Sequence, residues 1–127
     1  MPAIQPMPTP AGHLQQVQSY RAGGFTIGGT RHQGSVLVLP DVTRPWPAES
    51  PEQIALDTLA PILDAEPAVE ILVVGLGGRF AMVPAELRAA LKARGIVVES
   101  MDTRAACRTF NVLLAEDRRV AAALIAI

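Results

Sequence analysis

From Glu70 onward the chain alternates apolar runs with amphipathic stretches and spends almost nothing on loops. EILVV, Glu70 to Val74, reads as a buried strand that leaves into GLGGRF. A helix starts at Pro84, with Glu86 in its first turn, Leu87, Ala90 and Leu91 facing inward, and Gly95 as its stop signal. Ile96 to Val98 forms the next strand. The third helix runs from about Arg104 to Ala115, with Asp102 or Thr103 as its cap, and a strand from about Arg119 to Ile125 closes the chain. Strand-helix alternation of this kind restricts the fold to an α/β sheet with a parallel core.

Upstream, residues 1 to 18 carry Pro2, Pro6, Pro8 and Pro10 and little apolar periodicity. They predict an extended or mobile tail, so the packed part begins at residue 19. Phe25 to Ile27 and Ser35 to Leu39 read as strands, with Gly28-Gly29 as a hairpin turn because glycine accepts positive φ. The unbroken VLVL run implies burial on both faces. After the loop DVTRPWPAE, Ser50, Pro51 and Gln53 spell a helix start with a capping box. Ala55, Leu59, Ile62 and Leu63 share its apolar face, and Pro61, which lacks an N–H, predicts a kink or break. The expected fold class is α/β: a single domain over residues 19–127, its mixed sheet flanked by helices and preceded by an N-terminal hairpin. A chain of 127 residues suits one domain.

Composition narrows the function classes. Aromatic residues make up 4% of the chain against 50% hydrophobic, so aliphatic side chains must fill the core. A net charge of -1 argues against nucleic-acid binding through a general electrostatic field, and no nucleic-acid partner is expected. Cys107 is the sole cysteine, which excludes an intramolecular disulfide and a cysteine-based zinc site. His13 and His32 fall outside any metal spacing, so neither metal nor cofactor is implied. The first basic residue is Arg21, with no signal-peptide pattern before it. The longest apolar run, Val120 to Ile127, is far short of the roughly 20 residues of a membrane helix. A soluble, cytoplasmic protein in a reducing compartment is expected.

The residues that can carry chemistry lie at the strand exits. Gly75, Gly77 and Gly78 follow a buried strand, where open α/β sheets place ligands; their N–H groups can approach an anion, and Arg79 adds charge. The dinucleotide fingerprint is broken by Phe80, and no Gly-Lys-Ser/Thr ending marks a phosphate loop. The loop is therefore either a tight strand exit or a small anion pocket. Asp102 and Thr103 are ordinary capping residues. Arg104, however, sits in a first turn, where the helix dipole disfavours a cation by about 0.3–1 kcal/mol. Asp102, Asp41, a bound anion or an acidic partner would offset that cost. Arg108 is one turn on, and Asn111 extends the same outer side, which is either a solvated face or a docking stripe. Trp46, between two prolines, is either a binding anchor or a plug beneath its loop. Cys107 falls on the apolar side of its helix and reads as a small core residue. Ser100, His32 and Asp102 form a triad on paper only, and no catalytic residue is assigned. The two consecutive strand-to-helix junctions predict that the GLGG loop and the third helix meet at one edge of the sheet.

Three segments, VLVLPD with its Trp46 loop, VVGLGGRF, and MDTRAACRTFNVLLAEDRRVAAALI, resemble a small family of unknown function. That family includes the mitochondrial complex I (NADH dehydrogenase) assembly factor and the adipogenesis-associated proteins. The resemblance spans roughly residues 20 to 127 and is most specific in the last third. Its glycine loop often reads G-T-G, and Leu76 stands here in place of the threonine. The resemblance implies a compact three-layer α/β domain and a non-enzymatic role in building complex I, with another protein as partner. It sets a binding place near Gly75, Arg79, Asp102 and Arg104. A small-ligand sensor and an enzyme of unknown reaction are the opposing readings.

Overall fold

Two sheets and three helices make up the computed structural model, which describes residues 15–78 and 81–127. Residues 1–14 of the expected 1–18 tail, and Arg79 of the glycine loop, lie outside the described residues. Strands β1 (Val17–Ser19), β2 (Gly24–Ile27) and β3 (Thr30–Gln33) form a small antiparallel sheet. Strands β4 (Val36–Val38), β5 (Thr43–Pro45), β6 (Ile71–Gly75), β7 (Val97–Met101) and β8 (Val120–Leu124) form a larger one, ordered β5-β4-β8-β6-β7. There β6 runs parallel to both β7 and β8, and β4 is antiparallel to β8 and β5. The sheet is mixed, as its sequence pattern predicts.

Alternation along the strands sorts the core into two halves. Val36, Val38, Ile71, Val73, Val120, Ala122 and Leu124 face one side. They pack with Phe25 and Ile27 of β2 and with Ala106, Cys107 and Phe110 of α3 (Thr103–Ala115). Leu37, Leu72, Val74, Ala121, Ala123 and Ile125 face the other side. Their partners include Ile62 of α1 (Ala60–Leu63) and Leu87 and Leu91 of α2 (Ala85–Ala93). The result is three layers, with the larger sheet in the middle. Burial on both faces explains why VLVL and VAAAL carry no polar residues.

Several local expectations are corrected. Gln15 and Val17, assigned to the tail, are buried; the Gln15 amide donates to Leu39 O and to Thr43 Oγ1, each at 3.0 Å. Gly28-Gly29, with φ of 56° and 85°, does make a two-residue hairpin turn, but it joins β2 to β3. The VLVL strand belongs to the other sheet. Ser50 makes no side-chain cap, and Gln53 Oε1 accepts from Glu49 N at 2.6 Å, so the capping box does not close. In place of a helix kinked or broken at Pro61, the chain makes two 3-10 turns, Pro51–Gln53 and Leu56–Leu59, before α1. The break falls at Ile54 and Ala55, which are extended. Pro61 lies in the first turn of α1, where its missing N–H leaves no bond unmade.

Candidate functional site

Because β6, β7 and β8 are parallel, all three release the chain at the same end of the sheet. The expected meeting of the glycine loop with the third helix takes place there. Gly77 N donates to Thr103 Oγ1 at 2.9 Å, and Thr103 N donates to Gly77 O at 3.0 Å. The Thr103 hydroxyl in turn donates to Ile125 O at 2.7 Å, tying the exits of all three strands together. Thr103 is fully buried and its side chain is fully used, so it is an organiser of this end and not a free ligand-binding hydroxyl. Gly75 has a matching reason. A Cβ there would lie 2.9 Å from Thr103 Oγ1 and 3.1 Å from Thr103 Cα, so only glycine lets α3 come this close. Gly77 holds a φ of +92°, a backbone conformation that side chains disfavour.

Above these exits lies a cleft of about 620 Å³, whose walls include Gly77, Gly78, Asp102, Arg104 and Arg108. Five of the sequence candidates therefore share one cavity. Asp102 caps α3 through Oδ1, which accepts from Ala105 N at 2.9 Å. Arg104 and Arg108 are exposed and have no hydrogen-bond or ion-pair partner among the described residues. Ser100, Met101 and Ile127 also line the cleft; apart from Ser100's place in the paper triad they carry no sequence signal, since they reach it only through strand register and the path of the chain after β8. Arg88 lies beside it, donating to Val98 O at 3.1 Å and to Ser100 Oγ at 3.2 Å across the open edge of β7.

The remaining candidates are elsewhere. Asn111 does not extend the arginine stripe: its Nδ2 donates to Val17 O and its Oδ1 accepts from Val17 N, both at 2.9 Å. It clamps the edge of β1 onto α3. Trp46 is 4% exposed and Nε1 donates to Thr58 Oγ1 at 2.9 Å, so the ring is a plug under its loop and not an exposed anchor. Asp41 is exposed between β4 and β5, beside the entry ends of β6 and β8, where it lines a second cleft with Arg44 and Glu66. That placement removes Asp41 as a counter-charge for Arg104. His32, on β3 of the small sheet, is separated from Ser100 and Asp102 by the fold itself. Among the described residues no three His, Cys, Asp or Glu side chains come together in a metal-binding group.

Cys107 is buried on the inner side of α3, and desolvation pushes its thiol up to about 12 from 9.0, with Arg108 pulling weakly the other way. Folded protein is therefore expected to react with a thiol reagent far more slowly than denatured protein at every pH from 7 to 9, followed by absorbance of the released chromophore. The linkage has a definite sign. The folded thiol keeps its proton where the unfolded one has lost it, so this group's stabilisation is complete below about pH 9 and falls as pH rises towards 12. Rapid labelling of the folded state would show that the thiol faces solvent.

Residues 17–125 match the family described as protein of unknown function (DUF498/DUF598). The chain belongs to this family. Among the curated proteins similar to it, the NADH dehydrogenase [ubiquinone] 1 alpha subcomplex assembly factor 3 of Danio rerio is 42% identical over 86% of this chain and 63% of its own length. The Homo sapiens protein of the same name is 38% identical over 91% of this chain and 62% of its own. The chain thus spans somewhat over three-fifths of these curated relatives. The solution structure of a Mth938-like domain from Bordetella pertussis matches with a TM-score of 0.78 at 31% identity, covering 97% of this chain and 92% of that one. The DUF498/DUF598 assignment confirms the family resemblance carried by the three sequence segments.

Proposed function

We propose that this chain is a non-enzymatic, protein-binding assembly factor that acts in building respiratory complex I. The observation that carries the reading is its 42% identity to a named complex I assembly factor over nearly the whole of this chain. Its geometry supports binding over turnover: Cys107 is buried, Thr103 is committed to the backbone, and Asp102 is committed to its cap. Among the described residues no helix is long and apolar enough to cross a membrane. In this reading the chain works in the cytoplasmic compartment on a protein partner, without nucleic acid, and its working surface is the strand-exit end.

The test is to purify tagged protein from its own host under gentle detergent and to identify what accompanies it. Subunits of NADH dehydrogenase are expected, together with a loss of assembled complex when the chain is deleted. Ligand turnover at the cleft without any such partner would overturn the proposal in favour of a small-molecule protein.

A further inference from the structure

Two arginines one turn apart lie at the start of α3 and, among the described residues, have no counter-charge. Arg119, by contrast, has a carboxylate beside it: its Nη2 meets Glu70 Oε2 at 2.8 Å. Arg104 and Arg108 have no such neighbour among the described residues, and of the cleft's walls only Asp102 is acidic. The cap bond to Ala105 already engages that carboxylate. Among the described residues the cleft is therefore a cationic surface without a matching carboxylate.

Its shape narrows the complement. At about 620 Å³ it is far larger than a single inorganic anion requires, and none of the polar side chains lining it is deeply buried, as a small-anion shell would need. Residues four apart on a helix rise about 6 Å along its axis. Side chains two apart on an extended chain are about 6.5–7 Å apart and point the same way, so alternate carboxylates match the arginine spacing. Apolar side chains accompany the pair: Ala81 and Ile127 line the cleft itself, and Val112, one turn beyond Arg108 on the same helix, is 58% exposed. An occupant with apolar residues between its acids fits both features.

We propose that this cleft receives an extended acidic segment of a partner protein, with two of its carboxylates paired to Arg104 and Arg108. The inference rests on the protein-binding reading above and names the chemistry of the partner. Bidentate guanidinium–carboxylate pairing provides the orientation, and the exposed apolar rim supplies the area.

The probe is a fluorescein-labelled peptide of alternating glutamate and leucine, titrated against the full chain and followed by anisotropy. Wild type is expected to bind it, with affinity falling steeply as salt rises. The Arg104→Glu, Arg108→Glu double variant, shown to be folded by its amide NMR spectrum, is expected to bind at least tenfold more weakly. The same variant should instead take up a lysine–leucine peptide. No binding by wild type, or equal binding by the double variant, overturns the proposal. Displacement by inorganic phosphate at matched ionic strength overturns it in favour of a small-anion site. Complex I subunits recovered equally by wild type and double variant would also sink the acidic-segment inference while leaving the assembly-factor reading intact. Failure of both proteins to recover any partner would remove the reading itself.

Discussion

Replacing Thr103 by valine is expected to destabilise the protein by about 2–5 kcal/mol, because two buried hydrogen-bonding groups lose their partner at once. The two residues are nearly the same shape, so packing alone predicts little change. The hydroxyl, however, accepts from Gly77 N and donates to Ile125 O, and Thr103 is completely buried. Valine would leave that N–H and that carbonyl without a partner where water does not reach. Urea denaturation of both proteins measures the loss, and Thr103→Ser, which keeps the hydroxyl, should recover a large part of it. A valine variant within 0.5 kcal/mol of wild type, roughly the margin of ordinary surface changes, would show that the three strand exits are not held through this side chain.

The same junction shows what a linear sequence can and cannot reveal. Two successive strand-to-helix transitions place the GLGG loop and the α3 start at one end of a parallel sheet, and the Gly77–Thr103 bonds realise that expectation. Helical periodicity likewise puts Cys107 and Phe110 inward, and both are buried. Periodicity says nothing about a partner far away along the chain. Asn111 sits near the margin of the outer face, yet its amide is matched to Val17, 94 positions earlier, and that pairing also explains why a three-residue strand persists at the end of a proline-rich tail. Trp46 follows the same logic: the sequence leaves anchor and plug open, and the distant Thr58 acceptor, which lets the indole be buried, decides for the plug. The Ser50–Gln53 signal fails because the chain becomes extended at Ile54 before a full α-turn forms, which leaves the Gln53 side chain to bond one residue earlier, at Glu49. Of the cleft, its glycines, its cap and its arginines were legible as local chemistry. Ser100, Met101 and Ile127 were not, because only the register of β6 with β7 and β8 brings them there.

Phe110→Ala is expected to cost about 3–5 kcal/mol, the range for removing a large aromatic side chain from a packed core. The ring is 0% exposed and belongs to the cluster that joins α3, the small sheet and one face of the larger sheet. Its neighbours in that cluster sit on strands held in register by the sheet ladder, so they can close the space only in part. Cys107, one turn earlier on the same inner side, provides a built-in reporter of the damage. Labelling of its thiol requires opening of this half of the core, so the alanine variant should label faster than wild type by the factor that the stability loss implies, about 10² to 10³ or more, if opening is fast and global. Labelling measured alongside urea denaturation separates two outcomes. An opening free energy from labelling equal to the urea value, in wild type and variant alike, means that α3 leaves only when the whole protein unfolds. A labelling-derived opening free energy well below the urea value would show that α3 and the small sheet open as a separate unit, which would make this layer the more weakly held half of the molecule.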